Sequence, residues 1–231
     1  MTAPRIVLSG DAALLVEYEA RIAPDINAHA VALADHLRAA AVPGVLDVVP
    51  AFRSVTIYFD PLRTDVSALS AYIHAFVPPQ NDGLSERSAD VEIPVCYDLD
   101  LGPDLAHVAR ASGLSVEAAI AAHTGRTYRV YMLGFMPGFA YLGTVDPRIA
   151  VPRLAVPRTR VPAGAVGIAG EQTGVYPSAT PGGWNLVGQT PLAMLLAERT
   201  PPSLLMPGQT VRFRAIDRPT FDAWSRNGGG Q

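Results

Sequence analysis

The chain has 231 residues, 24.4 kDa, and is 49% hydrophobic, enough for one large domain or two small ones with real cores. A formal net charge of −3 leaves no electrostatic footprint for nucleic acid or an anionic membrane surface. The single cysteine, Cys96, excludes an intrachain disulfide and a cysteine-rich zinc site, and the absence of lysine excludes a Schiff-base lysine, a Ser-Lys dyad and a P-loop lysine. The opening MTAPRIVLSGDAALLVEY has no basic region followed by a continuous apolar one, and no apolar run reaches the length of a membrane span. A soluble, cytoplasmic protein is expected.

Two apolar runs, IVLS and ALLVEY, flank Gly10-Asp11 and predict a hairpin. From Asp25 to Ala41, apolar Ile26, Ala30, Leu33, Leu37 and Ala41 recur at steps of three or four. That spacing predicts an amphipathic helix entered at Pro24 and stopped by Pro43-Gly44. Val45–Val49 and Ser54–Phe59 read as strands, and Thr64 or Asp65 caps a second helix carrying Val66, Leu69, Ile73 and Phe76. The order β-β-α-β-β-α predicts a small α+β sandwich over residues 1–80. PPQNDGLSERSAD (78–90) is linker-like, with the linker itself placed at 81–90. A strand follows at Val91–Tyr97, then helices at Pro103–Ser112 and from Ser115 to Thr124. The remainder is short strands between Pro and Gly, as in a barrel over 91–226. Val211–Ile216 is expected to be its closing strand, and 227–231 a frayed tail.

Tyr131–Pro191 is rich in Gly, Pro and Arg, carries only Asp146 and Glu171 as carboxylates, and keeps Phe135, Phe139, Tyr141, Tyr176 and Trp184. Disordered segments lack such aromatics, so this stretch is expected to be ordered and to approach a ligand or another backbone closely. Its glycines at 164, 167, 170 and 174 fit neither a dinucleotide fingerprint nor a Walker sequence. Arg158 and Arg160 share a face if their segment is extended, as a carboxylate or phosphate site would need, and equally as a solvated edge strand would show. Glu171, Gln172, Thr173, Tyr176, Trp184 and Asn185 supply an acid, amides, hydroxyls and an indole for a polar pocket. For Trp184 alone a core position is the better reading. The helix–Gly–helix at 104–125 is superficially like a DNA-reading motif, but its second helix carries Glu117 and no Arg or Lys. None of the five histidines has a metal-ligand spacing, and His123, in the last turn of a helix, is expected to sit where the dipole favours a cation.

GFMPGFAYLG (134–143), RTRVPAGAVGIAGEQTGVYP (158–177) and PGGWNLVGQTP (181–191) resemble the family of 5-oxoprolinase B subunits, also called KipI or allophanate hydrolase subunit 1. AVPGVLDVVPAFRSVTIYFDP (41–61) and GPDLAHVARASGLSVEAAIAAHTG (102–125) extend the likeness over nearly the whole chain. Val187-Gly188-Gln189 departs from it, standing where the family usually has Ile-Gly-Arg. The resemblance implies an N-terminal α+β domain followed by a cyclophilin-like β-barrel. It further implies a protein that works with the 5-oxoprolinase C subunit (KipA-like) and the A subunit, hydrolysing 5-oxo-L-proline to L-glutamate at the expense of ATP. Alternatives within the family are inhibition of a sensor histidine kinase and a carboxyltransferase half of a urea or allophanate enzyme. On this view Glu171, Arg158 and Arg160 are candidates for catalysis. Gln172, Thr173, Tyr176, Trp184 and Asn185 are candidates for substrate binding, and no metal is expected.

Overall fold

The computed structural model describes residues 4–77 and 90–226. The linker expected at 81–90 lies, save for Asp90, outside the described residues, as does the tail at 227–231. The chain divides into two compact units, Met1–Arg87 and Ser88–Gln231.

In the first unit, β1 (Arg5–Leu8) and β2 (Ala13–Glu17) form the expected hairpin, with Gly10 in the left-handed region at φ +70°. Helix α1 (Pro24–Ala39), β3 (Val45–Pro50), β4 (Ser54–Phe59) and helix α2 (Val66–Ala75) follow. The four strands make one antiparallel sheet in the order β1-β2-β4-β3. Pro24 stands in the first turn of α1. The Asp65 carboxylate caps α2 by accepting the Ala68 amide at 2.8 Å. Ala30, Leu33 and Leu37 of α1, with Leu69 and Ile73 of α2, share one core with Leu14, Val16, Val55 and Ile57 of the sheet.

The second unit runs β5 (Val91–Cys96), α3 (Leu105–Ala111), α4 (Val116–Thr124), β6 (Thr127–Leu133), β7 (Ala140–Gly143), β8 (Arg158–Val161), β9 (Ala165–Ala169), β10 (Gln172–Val175), β11 (Thr180–Gly182), β12 (Asn185–Gln189), β13 (Thr210–Ile216) and α5 (Arg218–Arg226). Seven strands close into a barrel in the order β10-β7-β6-β13-β5-β12-β9, and β8 pairs with β11 as a separate two-stranded sheet. The fold class is α+β, as the element order predicts. The strand expected at Val211–Ile216 is part of the closed barrel, between β5 and β6, parallel to the first and antiparallel to the second.

Strand alternation gives the barrel wall two apolar sides. Val166 and Ile168 of β9 and Val187 of β12 join a core that also takes in Leu105, Val108 and Ala119 of α3 and α4. Ala165, Ala169, Trp184 and Leu186 join a different cluster, with Phe139, Val161 and Tyr176. That second cluster carries the site.

Candidate functional site

The loop 134–139, GFMPGF, follows β6 and turns back on itself: the Gly134 amide donates to the Phe139 carbonyl at 3.1 Å, and the Phe139 amide donates to Met136 at 3.1 Å. The turn holds Phe135 at φ +66°, a region that non-glycine residues seldom occupy and that clusters at ligand-binding sites. The Phe135 ring is 61% exposed and stands edge-on to Phe139 at 5.5 Å and to Tyr176 at 6.4 Å. Phe139 in turn meets Tyr176 at 5.3 Å and Trp184 at 5.4 Å, both edge-to-face. Together with Tyr141, Arg153, Leu154, Pro157 and the Pro181–Gly183 turn, these rings line a cleft of about 270 Å³.

Two backbone features shape it. A Cβ at Gly182 would lie 2.5 Å from the Tyr176 hydroxyl, so the turn passes against the ring only because residue 182 is glycine. The Leu154 amide donates to the Gly183 carbonyl at 2.8 Å and so ties the 151–157 segment to the same turn. Arg153, the one charged group in the lining, stands 5.9 Å from the Trp184 ring centre, within cation–π range. The Tyr176 hydroxyl is driven toward its neutral form, chiefly by burial.

Of the candidate site residues, Tyr176 and Trp184 line this cleft. The others stand elsewhere. Arg158 forms an ion pair with Asp104, Nη2 to Oδ1 at 2.7 Å, and Arg160 is exposed on β8. Glu171 is exposed at the β9–β10 turn, five residues of extended chain from Tyr176, or roughly 16 Å. Gln172 is half-buried at the start of β10. Thr173 and Asn185 are opposite Ile168 in adjacent pairings, so both face the barrel core with it. Asn185 is spent on structure there: its amide nitrogen donates to the Pro152 carbonyl at 2.8 Å and to Ile168 at 3.2 Å. The expected convergence of Glu171, Arg158 and Arg160 on one pocket does not occur. The aromatic and proline residues of the loops converge there instead. Phe135, Phe139, Tyr141 and Arg153 were legible as residue types but not as neighbours of Trp184.

His123 also departs from expectation. It is 1% exposed and stacks on Phe213 with ring centres 4.5 Å apart. Its Nδ1 lies 2.7 Å from the Tyr97 hydroxyl and its Nε2 2.9 Å from Thr173 Oγ1. Thr173 donates its own proton to the Gly167 carbonyl at 2.9 Å. Its oxygen therefore accepts from Nε2–H, which leaves Nδ1 to accept from Tyr97. The imidazole is neutral, and burial pushes it down to about 3. The helix dipole that favours a cation at this position is overridden by the loss of water.

The family described as carboxyltransferase domain, subdomain C and D, matches residues 4–205. Over 226 residues the chain is 41% identical to the 5-oxoprolinase B subunit of Bacillus subtilis (strain 168), covering 93% of this chain and 94% of that one. The chain belongs to the family of 5-oxoprolinase B subunits. The corresponding protein of Escherichia coli O157:H7 is 39% identical over 214 residues, with 92% and 96% of the two chains covered. Among solved structures, TTHA0988 superposes with a TM-score of 0.80 at 42% identity over 90% of this chain. The match spans 41% of TTHA0988, which is the longer chain.

Two glycines of the 164–174 series pack against the chain's own rings and backbone. A Cβ at Gly167 would meet Trp184 at 3.0 Å, and one at Gly174 would meet the Ala140 carbonyl oxygen at 2.9 Å. These two glycines leave room for neighbouring rings and backbone. Among the described residues no group of three or more His, Cys, Asp or Glu is placed to hold a metal ion, and no helix is long and apolar enough to cross a membrane.

Proposed function

We propose that this chain is the B subunit of an ATP-dependent 5-oxoprolinase, and that its aromatic cleft holds 5-oxo-L-proline while the A and C subunits carry the phosphoryl chemistry. The observation that carries this is the lining of the cleft: aromatic rings, prolines and glycines with Arg153 as the only charge. 5-Oxo-L-proline is a flat five-membered lactam with one carboxylate. Edge and face contacts with Phe139, Tyr176 and Trp184 suit the ring, and a guanidinium suits the carboxylate. The cleft contains no carboxylate or imidazole to act as a general base. A lactam is a poor electrophile, and its ring opening is coupled to ATP in this reaction. This chain has no lysine and no phosphate loop, so activation and water attack belong to the partner subunits. The relatives' name, which makes each of them one lettered component of 5-oxoprolinase, supports membership of such a complex. Consumption of ATP fits a complex working in the cytoplasm. The family's carboxyltransferase description favours a second reading, a carboxyltransferase half of a urea or allophanate enzyme, which needs a partner chain bearing biotin because a chain without lysine cannot itself carry it.

The test is reconstitution with the A and C subunits and measurement of glutamate release. The isolated chain is expected to be inactive and the full mixture active. In the mixture, Arg153→Ala is expected to raise KM for 5-oxoproline about tenfold with kcat kept within about twofold, the signature of lost ground-state binding. Turnover by the isolated chain contradicts the partner dependence, and an unchanged KM in the variant removes the carboxylate contact.

A further inference from the structure

An Asp at the head of a helix ordinarily turns its carboxylate back onto the second or third amide of that helix. Asp104 stands at the head of α3 and makes no such bond. Both its oxygens serve other elements. Oδ2 accepts the Leu186 amide at 2.7 Å, at the start of β12, and Oδ1 accepts Nη2 of Arg158 at 2.7 Å, on β8. The Asp104 amide donates back to the Leu186 carbonyl at 2.9 Å. Gly102 permits this approach, since a Cβ there would lie 2.3 Å from the Val187 carbonyl oxygen.

Arg158 is itself opposite Gly182 in the β8–β11 pairing. One carboxylate therefore holds one end of the five-residue strap Gly182–Leu186 directly, at Leu186, and reaches the other, Gly182, through Arg158; the middle residue of the strap is Trp184. The Asp104 side chain is 12% exposed and that of Arg158 29%, so the pair is screened less than one at the open surface. Asp104 does not itself line the cleft.

We propose that Asp104 is a positioning residue for the cleft: through Arg158 and the Leu186 amide it sets the Trp184 ring in the orientation that ligand binding uses. The role assigned to substrate rests on the proposal that the cleft binds 5-oxoproline; the role assigned to Trp184 does not. The GPDL segment at 102–105 then serves the far side of the barrel wall from its own helix, and Arg158 acts by holding the strap.

Trp184 and Trp224 are the two tryptophans of the chain, and Trp224 lies on α5, outside the cleft. In a Trp224→Phe background, fluorescence reports Trp184 alone. Asp104→Asn keeps the shape of the side chain and removes its charge; Arg158→Met keeps the apolar stem and removes the fork. Each is expected to increase acrylamide quenching of Trp184 in the full-length chain with far-UV circular dichroism unchanged. The double variant is expected to be no worse than the more quenched single variant, as for two members of one network. In the reconstituted complex each is expected to raise KM for 5-oxoproline about tenfold and to leave kcat within about twofold. Unchanged quenching in both folded variants overturns the positioning role. So does unchanged KM in a complex where Arg153→Ala does raise it. If Arg153→Ala leaves KM unchanged, the substrate assignment fails by itself, because the quenching assay contains no substrate and still decides the fate of Asp104.

Discussion

Between pH 6.5 and pH 5, His123 alone is expected to remove about 2 kcal/mol of folding stability, at about 1.4 kcal/mol per pH unit. In the unfolded chain this imidazole binds a proton at its ordinary value of 6.5, whereas in the barrel burial pushes it down to about 3. Below pH 6.5 the unfolded state therefore binds more protons than the folded one, and acid favours unfolding. The contribution is fully present above 6.5, falls through the interval down to about 3, and levels off below it. Carboxylates act later. Asp146, held down to about 2 by its hydrogen bonds with Arg148, withholds its protons only below the ordinary carboxylate range. The window from 6.5 to 5 thus lies above the carboxylates, and the difference between the parent and a variant without His123 isolates this histidine from the other four. His123→Gln cannot titrate there. The variant is expected to be weaker at pH 7 by about 1–3 kcal/mol, because the bonds with Tyr97 and Thr173 are disturbed, yet flatter with pH. Urea unfolding of both proteins at pH 7, 6 and 5 measures the two slopes. Equal slopes would show that His123 is not the buried neutral group described here.

That histidine marks where sequence and structure part company. The local signals were accurate where a residue acts on its own helix. Asp65 caps α2, Ser115 caps α4 by accepting the Ala118 amide, and Pro24 opens α1. The same residue type misleads once tertiary structure recruits it. Asp104, at the head of α3, spans to β12 and β8. His123 resembles a solvated helix end and is enclosed by Tyr97, Phe213 and Thr173. Thr173 and Asn185 look like pocket walls, but in a barrel whose wall has an apolar core on one side and an aromatic cluster on the other, period-two alternation does not say which side is which. Helix α5 passed unannounced because RPTFDAWSR buries only Phe221, although Asp217, accepting the Thr220 amide at 2.9 Å, and Pro219 did mark its start. The aromatic cleft was half legible. The density of Gly, Pro and aromatics in 131–191 pointed to an ordered stretch shaped around something. Which rings meet depends on Gly182, Phe135 and the order in which seven strands close, and no short-range pattern encodes that order.

Trp184→Ala is expected to have the largest effect of any single substitution in the cleft. The indole is 5% exposed, stands perpendicular to Phe139 at 5.4 Å, packs 6.0 Å from Tyr141 and underlies the Arg153 guanidinium. Truncation opens a cavity between the barrel wall and the β8–β11 sheet, and such changes cost about 3–5 kcal/mol. It also removes the edge-to-face partner of Phe139 and the cation–π support of Arg153, so the wall and the anion contact are lost together. In the reconstituted complex kcat/KM for 5-oxoproline is expected to fall about a hundredfold. Trp184→Phe keeps a ring against Phe139 and offers less surface to Arg153. It is expected to fall about tenfold and to lose less than half as much stability. Urea titration of the isolated chain fixes the folded fraction, and the kinetic assay is then run where both variants are folded. The two readouts separate a damaged fold from a damaged site: stability follows the volume removed from the aromatic cluster, whereas KM follows the surface left to face the lactam. A folded Trp184→Ala protein that sustains the parental KM would place the substrate outside this cleft, and the aromatic walls would then have to be explained by something other than 5-oxoproline.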